Sequence, residues 1–323
     1  SNFIVDGVKE AELIKGAYNA EYGGRLSAVL NIISREGNKK KIEGKANLSL
    51  LSAQATLEGP FYKGAWVFSG RRTYFDKIFH LAAQVSNEAS YVDPLLDMKS
   101  NAFLTLSLLR WAKENEINEF IFTSSMGVYS DNLGCPARED SPIEPKGFYG
   151  IHKRAAEEYV RIFSEEGMKT NILRLFNVYG PGQNMNDLMQ GMLSIYMSFI
   201  LKNEPIKVKG PLDRVRDFVY VDDIVDALVL SGFGRSSAEI YNVCSGRKTT
   251  VGEALGLIKS AFNVDNNYPT EISDRTYRDI DSTFGSYEKI YREYGWEPKV
   301  SLEKGIALMV EWLKSTTQTR LLS

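Results

Sequence analysis

Glu119-Phe-Ile-Phe-Thr-Ser-Ser125, followed by Tyr149-Gly-Ile-His-Lys153, decides how this chain is read. The first is an apolar run of strand length that stops on two serines. The second places a phenol and an ammonium four residues apart at the start of a helical pattern, Ala156, Tyr159, Val160 and Phe163, so both side chains share one helix face. Strands alternating with helices are the grammar of an α/β domain with a parallel sheet, and the ends of such strands carry chemistry. An ammonium beside a phenol favours the phenolate, which makes Tyr149 a usable base near neutral pH, with Ser125 placed to hydrogen-bond a substrate hydroxyl. The spacing alone carries little, because the chain has 17 tyrosines and a surface i,i+4 pair fits it better.

Working outward, Lys77 to Ala83 reads as a short buried strand. Leu104, Leu108, Trp111 and Ala112 mark one face of a helix, and Asn171 to Phe176 is a further strand. Thr250-Val-Gly-Glu253 is a capping box opening a helix over 254–261. Before residue 77 the pattern differs. Apolar and polar residues alternate from Ile42 to Leu57, Glu58-Gly59-Pro60 signals a turn, and Ala65 to Phe75 returns as a second strand. An ordinary soluble hairpin explains this, and so does the weak dyad signal of an outer-membrane barrel.

The composition sets bounds. The 323 residues correspond to about two domains, and 43% hydrophobic with 25% charged residues is an ordinary globular balance. Lys and Arg number 39 against 41 Asp and Glu, so no polyanion-binding surface is implied and nucleic acid is a poor partner. Cys135 and Cys244, the only cysteines, form no disulfide framework and no metal-ligand spacing, and read as packing residues suited to a reducing compartment. No metal is expected. No apolar run is long enough for a membrane-spanning helix, which says little about membrane β-strands. The chain opens on Ser1 rather than Met, as a fragment or trimmed product would.

From about Ile78 to Lys314 a series of phrases stands in order. Phe79-His80-Leu81-Ala82-Ala83 comes first, then Phe122-Thr-Ser-Ser125 with Val128-Tyr129, Tyr149-x-x-x-Lys153, and Arg174-Leu-Phe-Asn177-Val-Tyr-Gly180-Pro181-Gly182. Arg216-Asp217-Phe-Val-Tyr-Val-Asp-Asp223, Tyr241-Asn242-Val243 and Gly295-Trp296-x-Pro298 complete it. In these the chain resembles the extended short-chain dehydrogenase/reductases of the NAD-dependent epimerase/dehydratase family, UDP-glucose 4-epimerases especially. The resemblance implies a Rossmann-like fold, NAD as cofactor, a UDP-hexose as substrate and hydride transfer through a keto-sugar. It makes Ser125, Tyr149 and Lys153 the catalytic set, and puts His80, Ala82, Ala83 and Ser124 with Tyr149 and Lys153 beside the cofactor. It puts Asn101, Ser125, Asn177, Arg216 and Arg275 (near Asp279) toward the nucleotide-sugar, with Thr283 in the hexose pocket. A helix-kinking structural amide is an equal reading of Asn101, and His152 is expected to face solvent. A homodimer through helices over 98–115 and 150–165 and a cytoplasmic location also follow. The alternatives are a related nucleotide-sugar dehydratase or a non-catalytic chimera.

Neither G-x-x-G-x-x-G nor G-x-G-x-x-G occurs in residues 1–77, and no acidic residue stands where the adenosine ribose would be held. NAD binding is therefore expected to be weak or lost, which puts turnover in question. Phe3-Ile-Val-Asp-Gly7, Val8-Lys-Glu-Ala-Glu-Leu-Ile-Lys-Gly16, Ala20-Glu-Tyr-Gly-Gly-Arg25 and Ser69-Gly-Arg-Arg-Thr-Tyr-Phe75 instead resemble the plug end and first barrel strands of a TonB-dependent outer-membrane receptor. That segment alone would point to the bacterial outer membrane. The expected organisation is a chimera: a β-rich segment over 1–76, a truncated NAD-binding Rossmann domain over 77–183 and a smaller nucleotide-sugar-binding region over 184–323. Lys77–Ala83 would then be an open sheet edge.

Overall fold

The computed structural model of the chain describes residues 8–15, 28–34, 40–48, 52–61, 64–73, 76–131, 136–234, 238–275 and 282–321. It divides into two units, Ser1–Asp76 and Lys77–Ser323.

In the first unit β1 (Val8–Lys15) pairs antiparallel with β2 (Ala28–Ser34). A second antiparallel sheet has the order β3 (Glu43–Leu48), β4 (Ser52–Phe61), β5 (Gly64–Thr73). The stretch read as one strand from Ile42 to Leu57 is thus two. The expected turn at Glu58-Gly59-Pro60 is not one either: these residues lie inside β4 opposite Val67, Trp66 and Ala65, and the chain reverses after Phe61. The β3 pairing ends at Glu43 opposite Glu58, so among the described residues Pro60 has a strand partner on one side only and its missing N–H is tolerated as on an edge strand. The quoted phrases over 3–7 and 20–25 lie outside the described residues.

The second unit is built on a parallel sheet. The strands β6 (Lys77–His80), β7 (Glu119–Ser125) and β8 (Lys169–Leu175) are followed by β9 (Asn177–Tyr179), β10 (Ile206–Lys209), β11 (Val215–Arg216), β12 (Phe218–Tyr220) and β13 (Glu239–Val243). The main sheet runs β13-β8-β7-β6, all parallel, and ends at β6. Five consecutive residues of β7 and of β8 are buried, as expected of strands covered on both faces. The strand expected over 77–83 stops at His80, because the chain turns there into α1 (Asn87–Val92) and α2 (Pro94–Met98). Ser86 caps α1 by accepting from the Ala89 N–H, and Asp93 caps α2 by accepting from the Leu96 N–H ahead of Pro94.

One π-helical turn, Lys99–Phe103, joins α2 to α3 (Leu104–Glu114). The buried face of α3 is Thr105, Leu109 and Ala112, whereas Trp111, expected inside, is 48% exposed. Helix α4 (Phe148–Glu165) crosses back between β7 and β8 and buries Ala156 and Val160 with α3 on one side of the sheet. The other side is covered by α6 (Val221–Phe233) and α8 (Glu288–Tyr294), while α5 (Met192–Leu201), α7 (Val251–Phe262) and α9 (Leu302–Leu321) share a third cluster. The Thr250–Glu253 capping box is present, the Glu253 N–H donating to Thr250 Oγ1 at 3.1 Å and the Thr250 N–H to Glu253 Oε2 at 2.7 Å. Cys244 is buried among apolar neighbours, and Cys135 lies outside the described residues. Among the described residues no helix is long and apolar enough to cross a membrane.

Candidate active site

Ser125 is the last residue of β7, and its Oγ caps the short helical turn Met126–Val128 by accepting from the Gly127 N–H at 3.1 Å. Tyr149 and Lys153 stand one turn apart on α4, as their spacing requires. The Ser125 and Tyr149 side chains both lie against Gly127, where a Cβ would sit 3.5 Å from Ser125 Oγ and 3.6 Å from the Tyr149 ring. Lys153 is buried, donates from Nζ to the Thr123 carbonyl at 3.0 Å, and lies 5.0 Å from the Phe122 ring centre. Gly150 lets α4 come this close: a Cβ there would sit 2.3 Å from the Gly127 carbonyl oxygen.

The electrostatics differ from the expectation of a ready phenolate. Burial pushes Tyr149 up to about 12, with the Ser125 hydrogen bond opposing and the Asp97 charge adding to it. Lys153 is pushed down to about 8, again chiefly by burial, against the charges of Asp97 and Glu157. In the protein by itself desolvation dominates, and the phenol keeps its proton.

These three residues open on a cavity of about 480 Å³, whose wall also includes Ala83, Ser124, Asn177 and Arg216. That is within the range of small-molecule sites. Asn177 Nδ2 donates to the Asp217 carbonyl at 2.9 Å. Arg216 is buried on β11, with one guanidinium nitrogen donating to the Val215 carbonyl at 2.9 Å. The Asp217 carboxylate behind them accepts from the N–H groups of Ser245, Gly246 and Gly285 and from the Ser245 hydroxyl, which fixes three loops around this corner. Ser124 donates its hydroxyl to Glu157 Oε1 at 2.6 Å, so it supports the wall through a buried chain: Glu157 to Arg174 at 2.8 Å, Arg174 to Tyr129 at 3.0 Å, Tyr129 to Asn242 at 2.7 Å.

Other residues singled out from the sequence stand elsewhere. His80 is turned into the helix layer, its Nε2 3.0 Å from Thr105 Oγ1 and its ring stacked at 5.6 Å on Phe122; burial and the Lys153 charge push it down to about 4. Ala82 is exposed and outside the cavity wall. Asn101 is buried in the π turn, donating from Nδ2 to the Gln84 carbonyl and to Asp97 Oδ1, both at 3.0 Å. Arg275 is exposed beside Gly210, Asp279 lies outside the described residues, and Thr283 is buried with its N–H donating to the Val215 carbonyl. His152 does not face solvent: its Nδ1 is 2.5 Å from buried Asp97 Oδ2.

Sequence reasoning missed the segment Gln183–Met192, which supplies Gln183, Met189 and Gly191 to the wall. Its only signal is glycine. Gly191 has φ 80°, and a Cβ there would collide with the Gln183 amide.

The redox end of a nicotinamide dinucleotide fits this cavity: a buried ammonium and two hydroxyls converge at a strand end. The pyrophosphate end does not find its usual holder in the unit Lys77–Ser323. No glycine occurs from Lys77 to Met126, so the β6 crossover has no turn whose backbone approaches a phosphate closely.

A profile of the NAD dependent epimerase/dehydratase family matches residues 63–244. The chain is 31% identical over 246 residues to the UDP-glucose 4-epimerase of Mycolicibacterium smegmatis, covering 75% of this chain and 77% of that protein. Among solved structures, the UDP-glucose 4-epimerase of Thermotoga maritima with UDP-glucose superposes with a TM-score of 0.70 at 35% identity, covering 75% of this chain and 78% of that one. The Thermus thermophilus UDP-glucose 4-epimerase complex with NAD gives a TM-score of 0.67 at 30% identity, covering 74% and 78%.

Proposed function

The chain belongs to the NAD dependent epimerase/dehydratase family, and from that premise we propose that its site carries out UDP-hexose 4-epimerization, with NAD held weakly. The observation that carries this reading is the convergence of Ser125, Tyr149 and Lys153 with Asn177 and Arg216 on one cavity. Tyr149 takes the proton of the sugar hydroxyl and gives it back after the keto-sugar has turned over. Ser125 holds that hydroxyl and the phenol in line, and Lys153 supplies the positive charge that lets the phenol ionise. Arg216 offers its guanidinium fork to the diphosphate and Asn177 an amide beside it. NAD, when bound, accepts and returns the hydride.

Residues 77–183 form the cofactor side in this reading and 184–323 the nucleotide-sugar side. Exposed apolar residues on the helices over 98–115 and 150–165, Phe103, Trp111, Ile151 and Ile162 among them, support a homodimer through that face. The antiparallel strands β1–β5 support reading residues 1–76 as a segment foreign to the family, although the family match opens at residue 63. Continuous sequencing reads across codons 60–80 test whether the join is genuine. The functional reading is tested by interconversion of UDP-galactose and UDP-glucose with added NAD. Protection of Arg216 and Asn177 by UDP-glucose without any turnover would favour a non-catalytic binding protein instead.

A further inference from the structure

Asp97 is wholly buried, and no step above uses it. Gln84 Nε2 donates to its Oδ1 at 2.7 Å, Asn101 Nδ2 donates to the same oxygen at 3.0 Å, and His152 Nδ1 lies 2.5 Å from Oδ2. A carboxylate taken out of water into such a network holds its partners in a single arrangement, because every alternative leaves a buried charge or amide unpaired. The partners come from three segments. Gln84 belongs to the loop after β6, and its amide also donates to the Ser86 carbonyl at 2.8 Å. The Ser86 hydroxyl donates to the Met189 carbonyl at 2.6 Å, and Ser86 and Met189 both line the cavity. Asn101 lies in the π turn, and the two acceptors facing its Nδ2 fix the amide's orientation. Its Oδ1 has no hydrogen-bond partner among the described residues. His152 immediately precedes Lys153 on α4.

We propose that Asp97 is a positioning residue of the reaction, tying the Tyr149–Lys153 face of α4 to the 84–86 wall of the cavity and setting a fixed negative charge behind that pair. This rests on the epimerase reading above. The charge favours the protonated forms of both neighbours, opposing burial at Lys153 and adding to it at Tyr149. His80, at the end of β6, also feels the Lys153 charge. The groups around Asp97 from α4 are His152, Lys153 and Tyr149, with Glu157 one turn further and paired to Arg174 and Arg154. On α1, Glu88 is turned to Lys209, 2.6 Å away. Asp93, which caps α2, and Lys99, which follows it, are both exposed.

The experiment follows the Lys153 Cε chemical shift against pH by NMR of lysine-labelled full chain, without NAD or sugar, the signal being assigned by its loss in Lys153→Met. In Asp97→Asn the Lys153 midpoint moves to lower pH, and under assay kcat falls by about 100-fold with KM for the nucleotide-sugar little changed. Asp97→Ser, which is smaller, neutral and still accepts hydrogen bonds, carries the same test if the asparagine variant does not fold. A Lys153 midpoint that stays in place in a folded neutral variant overturns the proposal. A native protein that turns over no sugar while the midpoint still moves sinks the epimerase reading and leaves the coupling of Asp97 to Lys153 standing.

Discussion

Lys153 donates from its Nζ to the carbonyl of Thr123 at 3.0 Å, which fastens α4 to the end of β7 and holds the ammonium under the cavity floor. In the proposed reaction its charge state is the switch for the neighbouring phenol. Burial pushes Lys153 down to about 8, so the ammonium is present at neutral pH and is lost through about pH 8. Turnover is expected to decline above that pH, and Lys153→Met to show a low rate without that limb. A pH profile of kcat/KM flat from pH 7 to 9 would contradict this role.

Glu157 and Arg174 form a buried bidentate pair, each side chain no more than 2% exposed. Glu157→Ala leaves the guanidinium without its counter-charge and is expected to destabilise the fold by about 3–5 kcal/mol. Adding Arg174→Met should recover part of that loss. Denaturant unfolding of the two single variants and the double variant checks it, and simple additivity would rule out the coupling.

His80 gives a pH dependence of stability with a definite sign. Its folded value is depressed from 6.5 to about 4, so between those values the unfolded chain takes up a proton that the folded chain refuses. Stability is full above pH 6.5 and is lost as pH falls toward 4, by at most about 1.4 kcal/mol per pH unit. His80→Gln should flatten that part of the curve. Parallel curves for native and variant would show that the imidazole does not drive it.

Gly150→Ala is expected to cost about 1–3 kcal/mol and most of the turnover, because its Cβ would press on the Gly127 carbonyl and on Pro145. Gly256→Ala, where a Cβ meets nothing within 4 Å, is the matched control. Equal thermal midpoints for the two variants would remove the close-contact argument.

The periodic parts of the second unit were legible. The strand over 119–125, the helix carrying Tyr149 and Lys153 and the Thr250–Glu253 box follow from local pattern, because strand burial and capping are decided by residues near one another in the chain. The cavity was legible only through motifs that resemble a family, and only in part. Ser125, Tyr149, Lys153, Asn177 and Arg216 meet there, whereas His80 and Asn101 are drawn into the helix layer by Thr105 and Asp97. Such tertiary partners have no spacing signature. The Asp97–His152 pair joins residues 55 positions apart, and Pro60 passed for a turn because its one-sided pairing depends on where β3 ends.

The most direct test of the epimerase reading is interconversion of UDP-galactose and UDP-glucose by the purified chain across a range of NAD concentrations, with Tyr149→Phe alongside. The expected result is turnover that keeps rising with NAD into the millimolar range and falls by about 10²–10⁴-fold in the variant. Saturation at micromolar NAD would contradict the weak cofactor hold, and a Tyr149→Phe protein as active as the native one would contradict the site itself.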